Sequence, residues 1–594
     1  MRHRSGTQDS AIVTRLFIRL LPVQVSMVAM GSINSIVDGV IAGRFIDAST
    51  VGVVGLYYTI MRILEAAGAI LLGGVTVLCG KYLGSGDLKR TRGICSTGMG
   101  LALAFGTVMT LISFLMPETL AGFLGADEAL KGPLTTYIKG YAIGILPQLL
   151  GQQIAAGLQL DGKDKLGQAG IIVMITVNVL LDILFVAVLK MGVWGLALAT
   201  ALAYWAYFLV ILQHYFSKEA QIVPRASLIQ PTETLPLLKI GFPNALLVAC
   251  LAVRSLMINR LLVSFGGSDG LSALSSFNMI SGLILAVGLG GSSLVRMLSS
   301  VFIGEGNRNA LHTVFRFSMT WMLAIMAVIG AAVTLLSPTL AGLFFPDSST
   351  EVFRMARELF FIYGFCVPLT QICFVFSGYY QAAGHTLFVN VLSVTDGFIS
   401  MVVPALLLAP VLGVTGVWLS FPLGLLITLT VSVLHPVIRL RHWPRNVDEW
   451  LLLPEDFGTE NKLVFQIHEM QEVTQTAEKV ETFCRTQGID RRTGAHSGLC
   501  LEEIVGNIVT HGFRMDKKKH MIEVIVATRD GNILLRIKDD CKPFNPQEWY
   551  DMTSDEDPIS NVGIRLVYRI ADEVEYQNML GLNVLTIRLS DAAA

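Results

Sequence analysis

Long apolar runs broken by short polar stretches fill the chain from Ile12 to about Pro436. A helix needs about 20 residues to cross a bilayer. Runs of that size fall near residues 12–43, 51–82, 94–116, 133–157, 168–189, 192–214, 235–265, 271–302, 313–343, 354–380, 387–410 and 413–437. They predict twelve transmembrane helices, an even number that leaves both ends of the region on one side. The first run continues from Ile12 past Val40 with no short apolar stretch ending in a small-residue cleavage site, which points to a first transmembrane helix rather than a cleaved signal peptide. After about Arg439 the pattern changes. Residues 439–460, with Pro444, Pro454 and an acid-rich stretch, read as a linker. The remainder, 461–594, reads as a strand, two helices, two strands, a loop, a helix and two strands, with a hairpin over Met521–Asp539 turning at Asp530-Gly531. The expected fold is an all-α polytopic membrane domain over residues 1–438, followed by a C-terminal α/β sandwich.

Composition agrees with this division. The 594 residues are 53% hydrophobic and 15% charged, too apolar for an ordinary soluble protein, and the net charge of −1 averages two unlike parts. Lysines and arginines choose the orientation. Arg2 and Arg4, Lys81 to Arg92, Lys163 and Lys165, Lys218 and Arg225, Arg308, and Arg439 to Arg445 fall on one face, whereas the opposite loops carry Asp127, Glu128 and Asp347. The positive-inside rule then places both termini in the cytoplasm of a cell whose inner (plasma) membrane holds the chain. The eight cysteines form no CxxC pair and no zinc spacing, and nothing points to nucleic acid.

The apolar region repeats itself at an offset of about 221 residues. Pro22 pairs with Pro243, and Tyr82-Leu83-Gly84-Ser85-Gly86-Asp87 pairs with Phe302-Ile303-Gly304-Glu305-Gly306-Asn307. Leu120 to Phe123, Leu146-Pro147, Gly157, Gly192 and Gly195 find partners in the same order. This predicts two six-helix copies, about 12–215 and 235–437, in the same orientation. Transporters built from parallel repeats hold the substrate between the halves and alternate access by rocking them.

Carboxylates inside a bilayer are costly and mark ion or substrate pathways. Asp38 falls in the first span and Asp182 in the fifth, with Asn178 one turn before Asp182 on the same face. With the Thr200 hydroxyl they form a set of oxygen donors suited to Na⁺ or to a shared proton. At the repeat offset Asp38 becomes Asn259 and Asp182 becomes Val403, so the site is expected in the N-terminal half only. Arg62, Glu65, Arg254, Arg260, Arg296 and Asp396 also lie in or near spans; they are weaker candidates for lining a central cavity, since arginines near span ends also snorkel.

Pro22 with Asp38, the YLGSGDLKR loop, and the run from Asn178 through Asp182 and Gly192-Val-Trp-Gly195 to Thr200 resemble the multidrug and toxic compound extrusion transporters over residues 12–437. The resemblance implies a secondary antiporter in the lipid bilayer, exporting drugs or other small organic compounds. It also implies that Asp38, Asn178, Asp182 and Thr200 form the coupling-cation site. A lipid-linked sugar flippase of the same superfamily is an alternative.

In the C-terminal segment, the run Leu501-Glu502-Glu503 to His511-Gly512 places Glu503, Asn507 and His511 at four-residue steps on one helix face. Asp539 to Pro546 follows a strand, and Ser560-Asn561-Val562-Gly563 opens the next helix. This order resembles the histidine-kinase-like ATPases, in particular the serine kinases that act as anti-sigma factors, over residues 461–590. The resemblance implies ATP and Mg²⁺ as cofactors. Asn507 would hold the metal, Glu503 would orient or deprotonate the attacking hydroxyl, and Asp539 would accept from the adenine amino group. His511, Gly512 and Gly563 would complete the nucleotide site. It also implies serine/threonine kinase activity toward an anti-sigma-antagonist-like protein, which makes a membrane signalling receptor a second alternative. Two positions depart from the pattern: Cys541 stands where the family usually has Gly, and Ser560-Asn561 fills the phosphate loop.

Overall fold

The computed structural model describes residues 11–45, 48–126, 128–217, 219–458, 462–515, 519–529, 532–553 and 562–590; within these, the side chains of 30–31, 34–45, 48–52, 128–129, 529, 549, 551–553 and 562 are left undescribed. The chain divides near Leu452 into two compact units.

The first unit is helical throughout. Its N-terminal part comprises α1 (Ala11–Phe45), α2 (Ala48–Ser85), α3 (Leu88–Leu115), the short α4 (Pro117–Phe123), α5 (Glu128–Leu160), α6 (Asp164–Asp182) and α7 (Gly192–Leu212). Its C-terminal part comprises α8 (Pro231–Gly304), α9 (Arg308–Phe317), α10 (Leu323–Leu335), α11 (Ser337–Gly342), α12 (Glu351–Ala382), α13 (Thr386–Val394), α14 (Ser400–Leu412), α15 (Val414–Leu440) and α16 (Val447–Trp450). Among the described residues ten helices are long and apolar enough to cross a membrane, against twelve expected spans. The 74-residue α8 is counted once, although Gly267, at φ 57°, breaks it into two helices, and α5 is not among the ten.

The two polar loops that match in sequence also fold alike. Gly86 and Gly306 adopt positive φ, which a side chain disfavours. Asp87 and Asn307 then cap the next helix, accepting from the backbone N–H of Arg90 at 2.8 Å and of Ala310 at 3.1 Å. Between the two parts, α2 and α8 lie backbone against backbone. A Cβ at Gly84 would stand 2.0 Å from the Val301 carbonyl oxygen, and one at Gly241 would stand 1.8 Å from that of Ile70. Small residues permit this approach, and dispersion and weak polar contacts hold helices together where no hydrophobic force does. Residues 447–451, inside the stretch expected as a linker, are held to the same unit. Tyr379 and Tyr380 donate to the backbone oxygens of Leu451 and Trp450 at 2.8 Å, and Arg308 Nε meets Asp448 at 2.9 Å.

The second unit follows the expected order, with one helix added in the loop. It runs β1 (Lys462–Ile467), α17 (Met470–Thr486), α18 (Arg491–Thr510), β2 (Ile522–Arg529), β3 (Asn532–Asp539), α19 (Pro546–Thr553), α20 (Val562–Ile570), β4 (Glu573–Met579) and β5 (Leu582–Leu589). The strands form one antiparallel sheet in the order β1-β2-β3-β5-β4. The expected hairpin is present with Arg529 opposite Asn532; its turn residues, Asp530-Gly531, lie outside the described residues. Val473, Val480, Leu501, Ile504 and Val505 of α17 and α18 pack with Val524, Val526, Leu535 and Ile537 of the sheet. The polar face of α18, with Glu503 and Asn507, is thereby turned outward.

Candidate functional site

Two sites emerge, one in each unit. In the membrane unit α6 carries Asn178 and Asp182, both 0% exposed, and α7, packed against α6, carries Thr200 at 4%. The Thr200 hydroxyl donates to the Leu196 carbonyl oxygen at 3.2 Å, as a threonine inside a helix commonly does. Neither end of the Asn178 carboxamide has a hydrogen-bond partner among the described residues. Buried polar groups without partners are rare, and such groups call for a ligand, water or ion to complete them. Asp182 ends α6 and is followed at once by a π-helical turn, Ile183–Val188. The fourth expected member, Asp38, lies in α1 with its side chain outside the described residues. Sequence reasoning overlooked a neighbouring cluster of tyrosines. Tyr57 lies 4.9 Å from Tyr137 and 4.8 Å from Tyr141 between ring centroids, and Tyr141 lies 6.3 Å from Tyr204, one turn beyond Thr200 on α7.

The C-terminal half holds a similar helix with its irregularity elsewhere. There the π-helical turn spans Thr395–Ile399, so it precedes the region that matches Asn178 and Asp182. A π turn inserts one residue and rotates the remainder of the helix by about 100°. The offset partners Ile399 and Val403 are accordingly exposed, at 40% and 44%. The inward positions belong to Ser400 and Pro404, both buried. The C-terminal half thus presents a hydroxyl and an apolar ring where the N-terminal half presents a carboxamide and a carboxylate.

In the second unit one cavity of about 390 Å³ is lined by Glu503, Asn507, His511, Gly512, Asp539 and Gly563, all six residues named from the sequence. Helix geometry brings the first three together, because α18 repeats its face every four residues. Asp539 ends β3 and enters from the sheet, 5% exposed. Its Oδ1 accepts from the Cys541 backbone N–H at 2.9 Å and from Asn583 Nδ2 at 2.8 Å. Asn583 is in turn fixed by the Tyr576 hydroxyl, which donates to its Oδ1 at 2.8 Å. Burial pushes the Asp539 carboxyl above its ordinary value, and the hydrogen bonds from Asn583 and Cys541 partly oppose that rise. A Cβ at Gly563 would stand 2.0 Å from Glu503 Oε2, so the start of α20 lies directly against the acid-bearing face of α18 and a larger residue there would displace the Glu503 carboxylate. Cys541, where the resemblance expects glycine, also lines the cavity, and its Sγ would lie 3.1 Å from a Cβ at Gly512. Ser560-Asn561 lies outside the described residues.

Asn583 and Tyr576 are the residues that sequence reasoning missed in this site. Asn583 stands out only as a polar residue in the otherwise apolar start of β5, and its partner Asp539 is its register mate on β3.

Both units match known families. The MatE family model matches residues 22–184 and again 243–407, and the histidine kinase-like ATPase domain model matches residues 468–589. The multidrug export protein MepA of Staphylococcus saprophyticus is 23% identical over 422 residues, covering 69% of this chain and 90% of that protein. Among solved structures, the Vibrio cholerae MATE transporter VcmN in its bent form superposes with a TM-score of 0.66 at 16% identity, covering 71% of this chain and 96% of that one. The outward-facing conformation of a multidrug resistance MATE family transporter superposes equally well, with a TM-score of 0.66 at 20% identity, covering 73% and 97%.

Proposed function

The chain belongs to the MatE family of multidrug efflux transporters, and from that premise we propose that it is a cation-coupled antiporter exporting small organic compounds under the control of a cytoplasmic ATP-binding domain. The observation that carries the transport reading is the fully buried pair Asn178 and Asp182 on α6, with an Asn178 carboxamide that no described protein group satisfies. Oxygen donors of this kind, with the Thr200 hydroxyl and Asp38, suit Na⁺ or a proton. Loading the site alters the charge buried in the N-terminal half and so biases the halves between two arrangements.

The ATP reading rests on the cavity. Its volume falls in the range of ordinary ligand pockets, about 300–1,000 Å³. Asp539 offers a buried, immobilised acceptor for the adenine amino group. The start of α20 brings backbone N–H groups toward phosphate. Asn507 would hold Mg²⁺, which would neutralise charge on the phosphates, and Glu503, one turn away, would orient or deprotonate an attacking hydroxyl. The acceptor in this proposal is a serine or threonine of a small anti-sigma-antagonist-like protein. The role of ATP is regulatory: transport is driven by the cation gradient.

Efflux from cells carrying wild type or Asp182→Asn, with the Na⁺ and H⁺ gradients varied separately, tests the transport reading. Normal export by the variant under every condition would remove it. The proposed orientation has its own test. A single cysteine introduced near Arg445 should react with an impermeant reagent only after the membrane is opened, and labelling of intact cells would reverse the topology.

A further inference from the structure

Arginines in the membrane unit differ in how their charge is met. Arg62 pairs with Glu65 at 2.8 Å. Arg254 donates to the Asp396 backbone oxygen at 3.2 Å, beside that residue's carboxylate. Arg296, in the second helix of α8, has no carboxylate within 4 Å among the described residues; its Nη1 donates to Gln381 Oε1 at 3.1 Å, its Nη2 makes a long contact of 3.4 Å to Ser293, and its buried Nε has no acceptor. A guanidinium is never deprotonated under physiological conditions, so a full positive charge stands partly buried among the helices with no counter-ion among the described residues.

The position of this charge gives it meaning. Gln381 also donates through Nε2 to the Ile240 backbone oxygen at 3.0 Å, and Asn244 donates to the Ala69 backbone oxygen of α2 at 3.2 Å. A Cβ on Gly73 of α2 would meet both, at 2.2 Å from Asn244 Nδ2 and 3.3 Å from Gln381 Nε2. The string Arg296, Gln381, Asn244 therefore runs from the C-terminal half to the wall of the N-terminal half, along the seam where α2 lies against α8. The edge of the guanidinium formed by Nε and Nη2 is the one least satisfied, and that edge matches the two oxygens of a carboxylate or phosphate.

We propose that Arg296 is a specificity-determining residue that binds an anionic group, carboxylate or phosphate, on the exported compound. In the arrangement described, with the seam shut, the neutral Gln381 oxygen holds Nη1 and the Nε–Nη2 edge faces no described carboxylate. When α2 parts from α8 the Nε–Nη2 edge becomes reachable and the anion binds across it; when the seam closes that edge is cut off and the anion is released. The affinity difference between the two arrangements ties anion binding and release to the rocking that the cation gradient drives. This inference rests on reading the membrane unit as an exporter and names the substrate class for it.

The test uses the purified full-length protein in detergent and the fluorescence anisotropy of two dyes of similar size, anionic fluorescein and cationic rhodamine 6G. Wild type should bind fluorescein saturably. Arg296→Gln should weaken that binding at least about tenfold and leave rhodamine 6G within about twofold, whereas Arg296→Lys should keep part of it. Gln381→Glu provides a second variant that leaves the arginine in place: the new carboxylate occupies the guanidinium, and fluorescein binding should be lost while the protein stays monodisperse. No saturable fluorescein binding by wild type, or binding indifferent to both substitutions, overturns the proposal. The exporter reading fails on a different result, normal efflux by Asp182→Asn, which these equilibrium measurements do not contain.

Discussion

The surroundings of Asn178 in the membrane unit and of Asp539 in the soluble unit are both deeply buried and polar, yet they are built in opposite ways. Asp539 is met by a backbone N–H and by Asn583, which is itself held by Tyr576. Asn178 is met by no described group at all. A carboxylate held through one oxygen is a fixed receptor: its geometry is set before a ligand arrives, and it selects a ligand with one correctly placed donor. An unsatisfied carboxamide beside a buried acid is a site whose stability depends on its occupant. The first design suits a nucleotide that binds and signals; the second suits a small ion that enters, changes the balance between two arrangements and leaves.

The largest expected effect breaks the membrane side of this comparison. Asp182→Asn, and likewise Asp38→Asn, should reduce coupled efflux to background while expression and monodispersity are kept. Ser400→Ala, at the structurally equivalent inward position of the other half, should export like wild type. Equal loss in Ser400→Ala would mean that both halves carry coupling sites.

On the soluble side, Asp539→Ala removes a charge-assisted hydrogen bond worth about 2 kcal/mol, so ATP affinity measured by calorimetry on the full-length protein should fall roughly thirtyfold. Asn507→Ala should abolish the Mg²⁺-dependent part of binding. Glu503→Ala should keep ATP bound and lose any phosphoryl transfer, since that carboxylate meets the nucleophile and not the ground-state nucleotide. Unchanged affinity in both Asp539→Ala and Asn507→Ala would reduce the domain to a docking module.

A smaller effect sharpens the contrast through stability. A buried amide without partners costs about 1–3 kcal/mol. Asn178→Leu, of similar volume, should therefore raise the apparent Tm in Na⁺-free buffer while lowering efflux. Asn583→Ala should do the reverse in the soluble unit, lowering its Tm and weakening ATP several-fold by loosening Asp539. A fall in Tm for Asn178→Leu would show that the carboxamide is satisfied within the protein.

How much of this was legible in the sequence depends on the range of the contacts involved. Glu503, Asn507 and His511 were readable because four-residue spacing on one helix is a local rule, and so were Asn178 and Asp182. The loops at Gly86-Asp87 and Gly306-Asn307 were readable as a repeat, but not the caps that Asp87 and Asn307 form. Asn583 and Tyr576 were not, since their relation to Asp539 depends on strand register and on β5 lying between β3 and β4. The pairing of Asp182 with Val403 went astray because a constant offset assumes unbroken helices, and the π turns at Ile183–Val188 and Thr395–Ile399 displace the faces between them. The unmet charge of Arg296 was likewise invisible: the sequence shows the arginine, but only the assembled helices show that no described acid reaches it.

The finest distinction between the two sites is protonation, and Asp539 makes it measurable. Burial raises its carboxyl above the ordinary value, and the donors on Asn583 and Cys541 pull it back. The folded state therefore holds this proton more tightly than the unfolded chain, in which an aspartate titrates near about 3.9. By linkage, the stabilisation is fully present below that unfolded value and is lost as pH rises through the raised one. ATP affinity runs the other way, because only the carboxylate is a full acceptor for the adenine amino group, so affinity should fall as pH is lowered through the raised value. Asn583→Ala removes one of the groups that hold the value down and should move the midpoint of that fall to higher pH. His511 also lines the cavity, and the Asn583 substitution leaves it in place. Calorimetric titrations of ATP at a series of pH values, on wild type and Asn583→Ala, give the two midpoints. Coincident midpoints would mean that Asp539 is not the group whose ionisation governs binding, and that its hydrogen bonds serve the fold of the sheet alone.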